Sequence, residues 1–362
     1  MNDTPLRLGV PVKVLGAPIK SNDTRRWQSS PHLKVSLEYV DQLLDYLASR
    51  RIDMYRLSSD LAPYATHPDM PQFHGMVAES DAELRALGAK AKQLGMRLSF
   101  HPSQFVLLNS PDESLTKKSI WDLASQAEML DRMELGPEAV MVTHVGGVYG
   151  DLVESRARWA RRWETLPDHV RSRLVLEHDD VRFSAADVLW IHERTGVRCV
   201  FDYQHFWCLN PERLEMIDVL RRILATWPVG ERPKIHFSSP RMELRELVRT
   251  HPKTRKKTTA LLPPVITNHA DFTNPFEFAR FMRDADGLVF DVMLEGKAKD
   301  LALLKLRADL ARLAPDVAAR FGISPAEAAE PELVGGEEAE AMADEDPDEG
   351  ARRLPDEPRA FG

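Results

Sequence analysis

Two cysteines, Cys199 and Cys208, are all that 362 residues contain. That scarcity excludes a disulfide framework and a cysteine-based zinc site, and both thiols are read as simple packing. No apolar run approaches the roughly 18 residues a membrane span requires. The N-terminal MNDTPLRLGV lacks the basic-then-apolar order of a secretory signal. A cytoplasmic protein without a membrane partner is expected. An excess of positive charge is missing too. The 48 Lys+Arg stand against 56 Asp+Glu, a formal charge of −8, which taken as an average argues against a nucleic-acid partner.

The average hides two unlike parts. From about Pro325 onward the chain carries 13 acidic residues, three basic ones and a single aromatic, Phe361. Such a stretch cannot bury enough apolar surface to offset its ordering entropy and reads as a disordered acidic tail, assigned to residues 319–362. The remainder holds 45 basic and 43 acidic residues, so the body is slightly positive. With 43% apolar and 29% charged residues, the chain has an ordinary globular composition and enough length for one large barrel or two average domains.

Over residues 1–318 short apolar runs alternate with amphipathic ones. Strand candidates are RLGV (7–10), MYRLSS (54–59), RLSF (97–100), VMVTHV (140–145), LVLEH (174–178), RCVFDY (198–203), KIHFSS (234–239) and GLVFDVMLE (287–295). Helical spacing is expected over 37–51, 81–94, 114–135, 152–164, 184–195, 211–224 and 275–285. Eight alternating units predict an α/β fold with a parallel sheet, a (β/α)8 TIM barrel. A doubly wound open sheet is the alternative, disfavoured because no Gly-rich phosphate loop follows the first strand. Two connections, 58–80 and 240–274, are unusually long and would open on the catalytic face.

Potential metal ligands recur at the ends of successive strands. His101 follows the third, His144 lies in the fourth and Glu177 in the fifth. Asp202 and His205 follow as D-x-x-H, Lys234 and His236 share a face of the seventh, and Glu295 ends the eighth. His67 and His269 lie in the two long connections and could join them. A single strand-end histidine is ordinarily a satisfied polar group. Six consecutive strands ending in His, Asp or Glu would instead crowd acids and imidazoles together with too few cations, which is costly without metal. Imidazole and carboxylate donors suit Mn, Zn or Fe over Ca or Mg, and the ligand count calls for two or three ions. Clustered metals serve phosphodiester hydrolysis. Lys234 must be neutral, paired, carbamylated or set against a phosphate. The remaining histidines (32, 74, 169, 178, 192 and 251) read as surface or ordinary core groups.

These segments carry a family resemblance. HPSQF (101–105), THVGGVYGD (143–151), LVLEHDD (174–180), FDYQHFWCLNP (201–211), KIHFSSP (234–240), NHADF (268–272) and VMLEGKAKD (292–300) resemble the UV damage endonucleases, in collinear order. Leu8-Gly9 and YRLSSDLAPYATHP (55–68) match that family's first two strand regions. The resemblance implies a xylose isomerase-like barrel that incises damaged double-stranded DNA on the 5′ side of a pyrimidine dimer, leaving a 3′-hydroxyl. It implies one metal on His101, His144 and Glu177, a second on Glu177, Asp202, His236 and Glu295, and a third on His205 and His269. Manganese is expected, with zinc, iron or cobalt as alternatives. His67 and Lys234 match positions of the catalytic machinery, the lysine as a candidate for carboxylation. Gln104-Phe105 resembles a lesion-probing Gln-Tyr pair, with Phe in place of Tyr. Val10 stands where the family carries Tyr, a departure expected on the damaged-base side.

The connection 241–264 has seven basic residues against two acidic, with Lys253, Arg255, Lys256 and Lys257 nearly contiguous. Its place at the mouth makes it a candidate phosphate grip. SRARWARRW (155–163) carries four arginines but reads as a solvated helix face, with Trp159 and Trp163 packing inward. The function expected is a monomeric multi-metal DNA repair endonuclease acting at the nucleoid. The rival readings are an abasic-site nuclease, a metal-dependent sugar isomerase and a catalytically silent damage-binding protein.

Overall fold

The computed structural model describes residues 4–250 and 254–329. His251 and Lys253 lie outside the described residues, as does the stretch 330–362. Ten strands occur in chain order: β1 (Leu8–Pro11), β2 (Met54–Leu57), β3 (Arg97–Phe100), β4 (Met141–His144), β5 (Leu174–Glu177), β6 (Arg198–Val200), β7 (Lys234–Phe237), β8 (Arg245–Thr250), β9 (Lys257–Leu262) and β10 (Asp291–Leu294). Eight form one parallel sheet in the order β6-β5-β4-β3-β2-β1-β10-β7. A parallel bridge between Asp202 and His236, with the His236 amide donating to the Phe201 carbonyl at 2.9 Å, joins the two ends. Closure excludes the open doubly wound sheet and establishes the TIM barrel. It also sets two candidate ligands side by side.

Each of the eight barrel strands is only three or four residues long, and alternation divides its side chains between two environments. The outward set, including Tyr55, Leu98, Phe100, Leu176 and Phe237, meets the apolar stripes of the surrounding helices in the main core. The inward set below the mouth forms a second cluster of Val140, Val142, Val175, Val200 and Trp227. Gly9 belongs to the inner layer. A Cβ there would lie 2.9 Å from both the Cβ and Cγ of Met54, so the neighbouring strand can fill the barrel only because glycine is present. Val10 is fully buried in the outer core. Its departure from the family's Tyr therefore lies beneath the helices, not on the damaged-base side as expected.

The helices start where local caps dictate. Asp112 accepts from the Ser114 amide at 2.8 Å ahead of the helix Glu113–Arg132, and Asp151 caps Leu152–Trp163. Asn274, followed by Pro275 at the first helical position, opens Pro275–Asp284. The RCVFDY candidate stops early. Asp202 accepts from the His205 amide at 2.7 Å and starts a helix, Tyr203–Cys208, inside what reads as strand. The helix expected over 211–224 is confined to Met216–Leu224. A further helix, Lys299–Leu313, supplies the last α unit.

The packed chain runs past residue 318. Pro315–Arg320 is helical, Phe321 and Ile323 are buried, and Ser324 forms a capping box with Glu327. Glu327 pairs with Arg307 at 2.6 Å and with Arg51 at 3.0 Å. The first residues given to the tail thus belong to the body. Among the described residues no helix is long and apolar enough to cross a membrane. Arg156, Arg158, Arg161 and Arg162 each pair with an acid, and Trp159 and Trp163 stack at 5.8 Å. That helix is a structural face. The connection 240–274 holds the antiparallel hairpin β8–β9, pairing Thr250 with Lys257 and Leu247 with Ala260.

Candidate metal centre

The C-terminal ends of the barrel strands bring seven of the eight expected ligands into one chain of contacts, centred on Glu177. This carboxylate is the last residue of β5 and is buried. Its Oε1 lies 2.8 Å from His236 Nδ1 and 3.6 Å from His205 Nδ1. Its Oε2 lies 3.2 Å from His101 Nε2 and 3.8 Å from His144 Nε2. His236 Nδ1 is also 3.4 Å from Glu295 Oε1, and Asp202 Oδ1 is 3.8 Å from His205 Nδ1. The eighth, His269, stands at the edge, 3.8 Å from Glu295 Oε2.

Three groups have ligand atoms close enough to share an ion: His101, Glu177 and His236; Glu177, Asp202 and His205; Asp202, His236 and Glu295. Glu177, Asp202 and His236 each belong to two of them. The grouping differs from the one the resemblance implies, in which His101 goes with His144.

The fit to cations is visible in atoms left bare. Asp202 Oδ2, His236 Nε2 and His144 Nδ1 are buried without a hydrogen-bond partner. A bare buried carboxylate oxygen is costly, and an adjacent imidazole nitrogen equally bare is what a ligand set presents. Outer contacts fix the rings. His205 Nδ1 donates to the His178 carbonyl at 3.0 Å and His269 Nδ1 to the Glu295 carbonyl at 3.0 Å, so that Nε2 is the ring atom each would offer a cation. The Asp202 amide donates to His178 Nε2 at 3.0 Å. Burial depresses His178 to about 3, so it stays a neutral acceptor. His178, read as an ordinary core group, thus holds both Asp202 and His205 in place.

Electrostatics point the same way. Burial pushes Asp202 upward, with Glu177 and Glu295 adding to it. Burial also opposes ionisation of Glu177, but His236 and His144 outweigh it and hold the carboxyl well below its usual range. Burial pulls His205 down, yet Asp202 and Glu177 carry it up to about 9. Against the three acids the chain sets His205, which they carry upward, and the guanidinium of Arg56, which pairs with Glu295. Divalent cations held by these residues would supply the positive charge that the three carboxylates lack.

Lys234 lies one turn of the alternation below His236, fully buried, donating to Ser99 Oγ at 3.1 Å across the barrel. Burial, reinforced by Arg97 and Arg56, holds its ammonium far below the ordinary lysine range. His67 sits elsewhere. Its Nδ1 accepts from the Asp69 amide at 3.2 Å, and its ring meets Tyr64. With Ser103 and Phe105 it lines a neighbouring cleft of about 520 Å³. Phe105 is 60% exposed on the loop after β3, and Gln104 precedes it. Arg255, Lys256 and Lys257 are exposed on the hairpin.

The family model for the UV-endonuclease UvdE matches residues 23–319. The chain belongs to the UvdE family. It is 32% identical over 286 residues to the UV DNA damage endonuclease of Bacillus velezensis, covering 77% of this chain and 82% of that protein. The corresponding Bacillus cereus protein is 31% identical over 283 residues, with 78% and 82% covered. The crystal structure of SacUVDE superposes with a TM-score of 0.71 at 30% identity, covering 85% of this chain and 99% of that one. In this UvdE protein the sequence pattern left Arg56, Ser99 and Gln204 unremarked and gave His178 no part in the site. Each acts on a partner far along the chain, so no local spacing announces it.

Proposed function

We propose that this protein hydrolyses the phosphodiester on the 5′ side of UV photoproducts and other helix-distorting lesions, using two or three divalent metal ions, manganese first among them. The single observation carrying this reading is the set of three overlapping ligand groups that share Glu177, Asp202 and His236. Sharing of this kind suits adjacent cations, whereas one isolated ion needs only one group. Bound metals would supply Lewis acidity and an activated water to the scissile phosphate.

The chain's own residues do the rest. Glu177 spans neighbouring sites with its two oxygens, while His178 and the Glu295 carbonyl aim His205 and His269. Arg56 keeps Glu295 ionised. Lys234, whose ammonium is disfavoured by burial, is the nitrogen that adds to carbon dioxide, releasing a proton to water and becoming an anionic carbamate that the charges of Arg97 and Arg56 favour. Gln104 and Phe105 probe the duplex, because a damaged step is cheaper to unstack and an exposed ring can wedge into it. His67, expected with the catalytic machinery, lines the adjoining cleft with Ser103 and Phe105, on the side of the probing pair. Arg255, Lys256 and Lys257, with Lys253 beside them in sequence, hold phosphates. The protein acts as a monomer at the nucleoid.

Supercoiled plasmid tests this reading in three forms: UV-irradiated, abasic and undamaged. With Mn²⁺ the irradiated plasmid is nicked and EDTA abolishes the nicking. Preferential nicking of abasic plasmid would transfer the activity to the abasic-site class, and inertness on all three would reject nuclease function.

A further inference from the structure

The hairpin β8–β9 leaves the barrel beside the metal centre. Its root is an extension of β7: Pro240 bridges His269, the Arg241 amide donates to the Asn268 carbonyl at 2.8 Å, and the Ala270 amide donates to the Ser239 carbonyl at 2.9 Å. Gln204, buried, pins the returning strand by donating to the carbonyls of Ile266 at 2.8 Å and Asn268 at 3.1 Å. The root is thus rigid and continuous with a candidate ligand, His269.

Beyond it the two strands pair over six residues each. Such a ribbon reaches about 20 Å. Val248 is 53% and Leu261 65% exposed on one face, and the basic groups Arg249, Arg255, Lys256 and Lys257 are exposed toward the far end. Its acidic groups, Glu243 and Glu246, lie toward the root. A lone two-stranded ribbon has marginal stability in water. A polyanion at its basic end supplies what it lacks, and the major groove, about 12 Å wide, admits a two-stranded ribbon.

We infer that the β8–β9 hairpin is a duplex-binding arm that engages DNA phosphates about half a helical turn from the incised bond. The inference rests on the nuclease reading for its position relative to the cut, and on charge and continuity with the mouth for its partner. About 20 Å corresponds to roughly six base pairs at 3.4 Å each. The arm adds affinity independent of sequence and of damage, while the mouth supplies the lesion check.

Two measurements on the full chain with Mn²⁺ test it. In the first, binding to an undamaged duplex of about 30 base pairs is followed against salt. Replacing Arg249, Arg255, Lys256 and Lys257 by Gln is expected to shallow the log–log slope by about 3 to 4 and weaken binding at least about tenfold near 0.1 M salt. An unchanged slope overturns the arm. In the second, incision of single-dimer duplexes is compared as each flank is cut from about twelve to about four base pairs. The native chain should lose about tenfold in kcat/KM for one flank, and the substituted chain less than about twofold for that same flank. Equal losses in both proteins, or a dimer in solution that dissociates on shortening the hairpin, reject duplex DNA as its occupant. If the native chain incises no dimer, the nuclease reading fails, and the salt slope alone still decides the arm.

Discussion

Glu177→Gln should lower incision of irradiated DNA by about 10³-fold or more, because on the proposed multi-metal reading it removes a ligand shared between ions and with it several kcal/mol of charge stabilisation. The substitution is isosteric, so the barrel closes around it unchanged. It converts one oxygen into an NH₂ group, so that either His236 Nδ1 at 2.8 Å or His101 Nε2 at 3.2 Å now faces a donor where it had faced an acceptor. Because Glu177 belongs to two of the three groups, metal analysis of the purified variant should show the loss of at least one ion per chain. Full metal occupancy with lost incision would make Glu177 a proton-transfer group instead of a bridge. Full occupancy with full activity would remove it from the site altogether.

Asp291→Ala is expected to be the most damaging change outside the site, costing about 3 to 5 kcal/mol. Asp291 opens β10 at the opposite end of the barrel and is fully buried. It accepts from the Arg7 amide at 2.9 Å and pairs with the guanidinium groups of Arg7 at 3.1 Å, Arg97 at 2.9 Å and Arg232 at 3.4 Å. Removing the carboxylate strands the buried guanidinium of Arg97 without its counter-ion, and the energy follows from that isolation rather than from the lost volume. For a domain of this size the melting temperature should fall by roughly 4 to 7 °C. Incision per folded molecule should be kept, since the bottom of a TIM-type (β/α)8 barrel serves stability and the top serves chemistry. Thermal unfolding compared with specific activity below the transition checks both halves.

The strand ends were legible because two periodicities coincide there. Alternation along each strand places Ser99 with His101 and Lys234 with His236, and the βα order brings every such end to one mouth. Closure between Asp202 and His236 then makes neighbours of residues that the sequence separates. What stayed hidden depends on contacts across the barrel. Arg56 meets Glu295 and Gln204 meets Asn268 only after the sheet has closed. The run RCVFDY alternates like a strand, but the Asp202 side chain satisfies the His205 amide and turns the chain into a helix. RELVRT and KTTALL carry apolar residues on both faces and no buried side, so their strand character rests on pairing with each other. At the C-terminus, Glu327 belongs by composition to the acidic tail. Its two arginine partners, Arg307 and Arg51, reside in elements that composition cannot connect to it.

The acidic balance of the whole chain concealed the same division. The centre itself is rich in carboxylates, the hairpin beside it is basic, and Glu177 links the histidines of four elements. These features support the proposed incision on the 5′ side of a lesion.

A duplex carrying one thymine dimer, labelled at the 5′ end of the damaged strand, tests that reaction most directly. With Mn²⁺ the product should end immediately 5′ of the dimer and be extendable by a polymerase, which requires a 3′-hydroxyl. EDTA should abolish it. A cut on the 3′ side of the dimer, an end that no polymerase extends, or an identical product in EDTA would contradict the account.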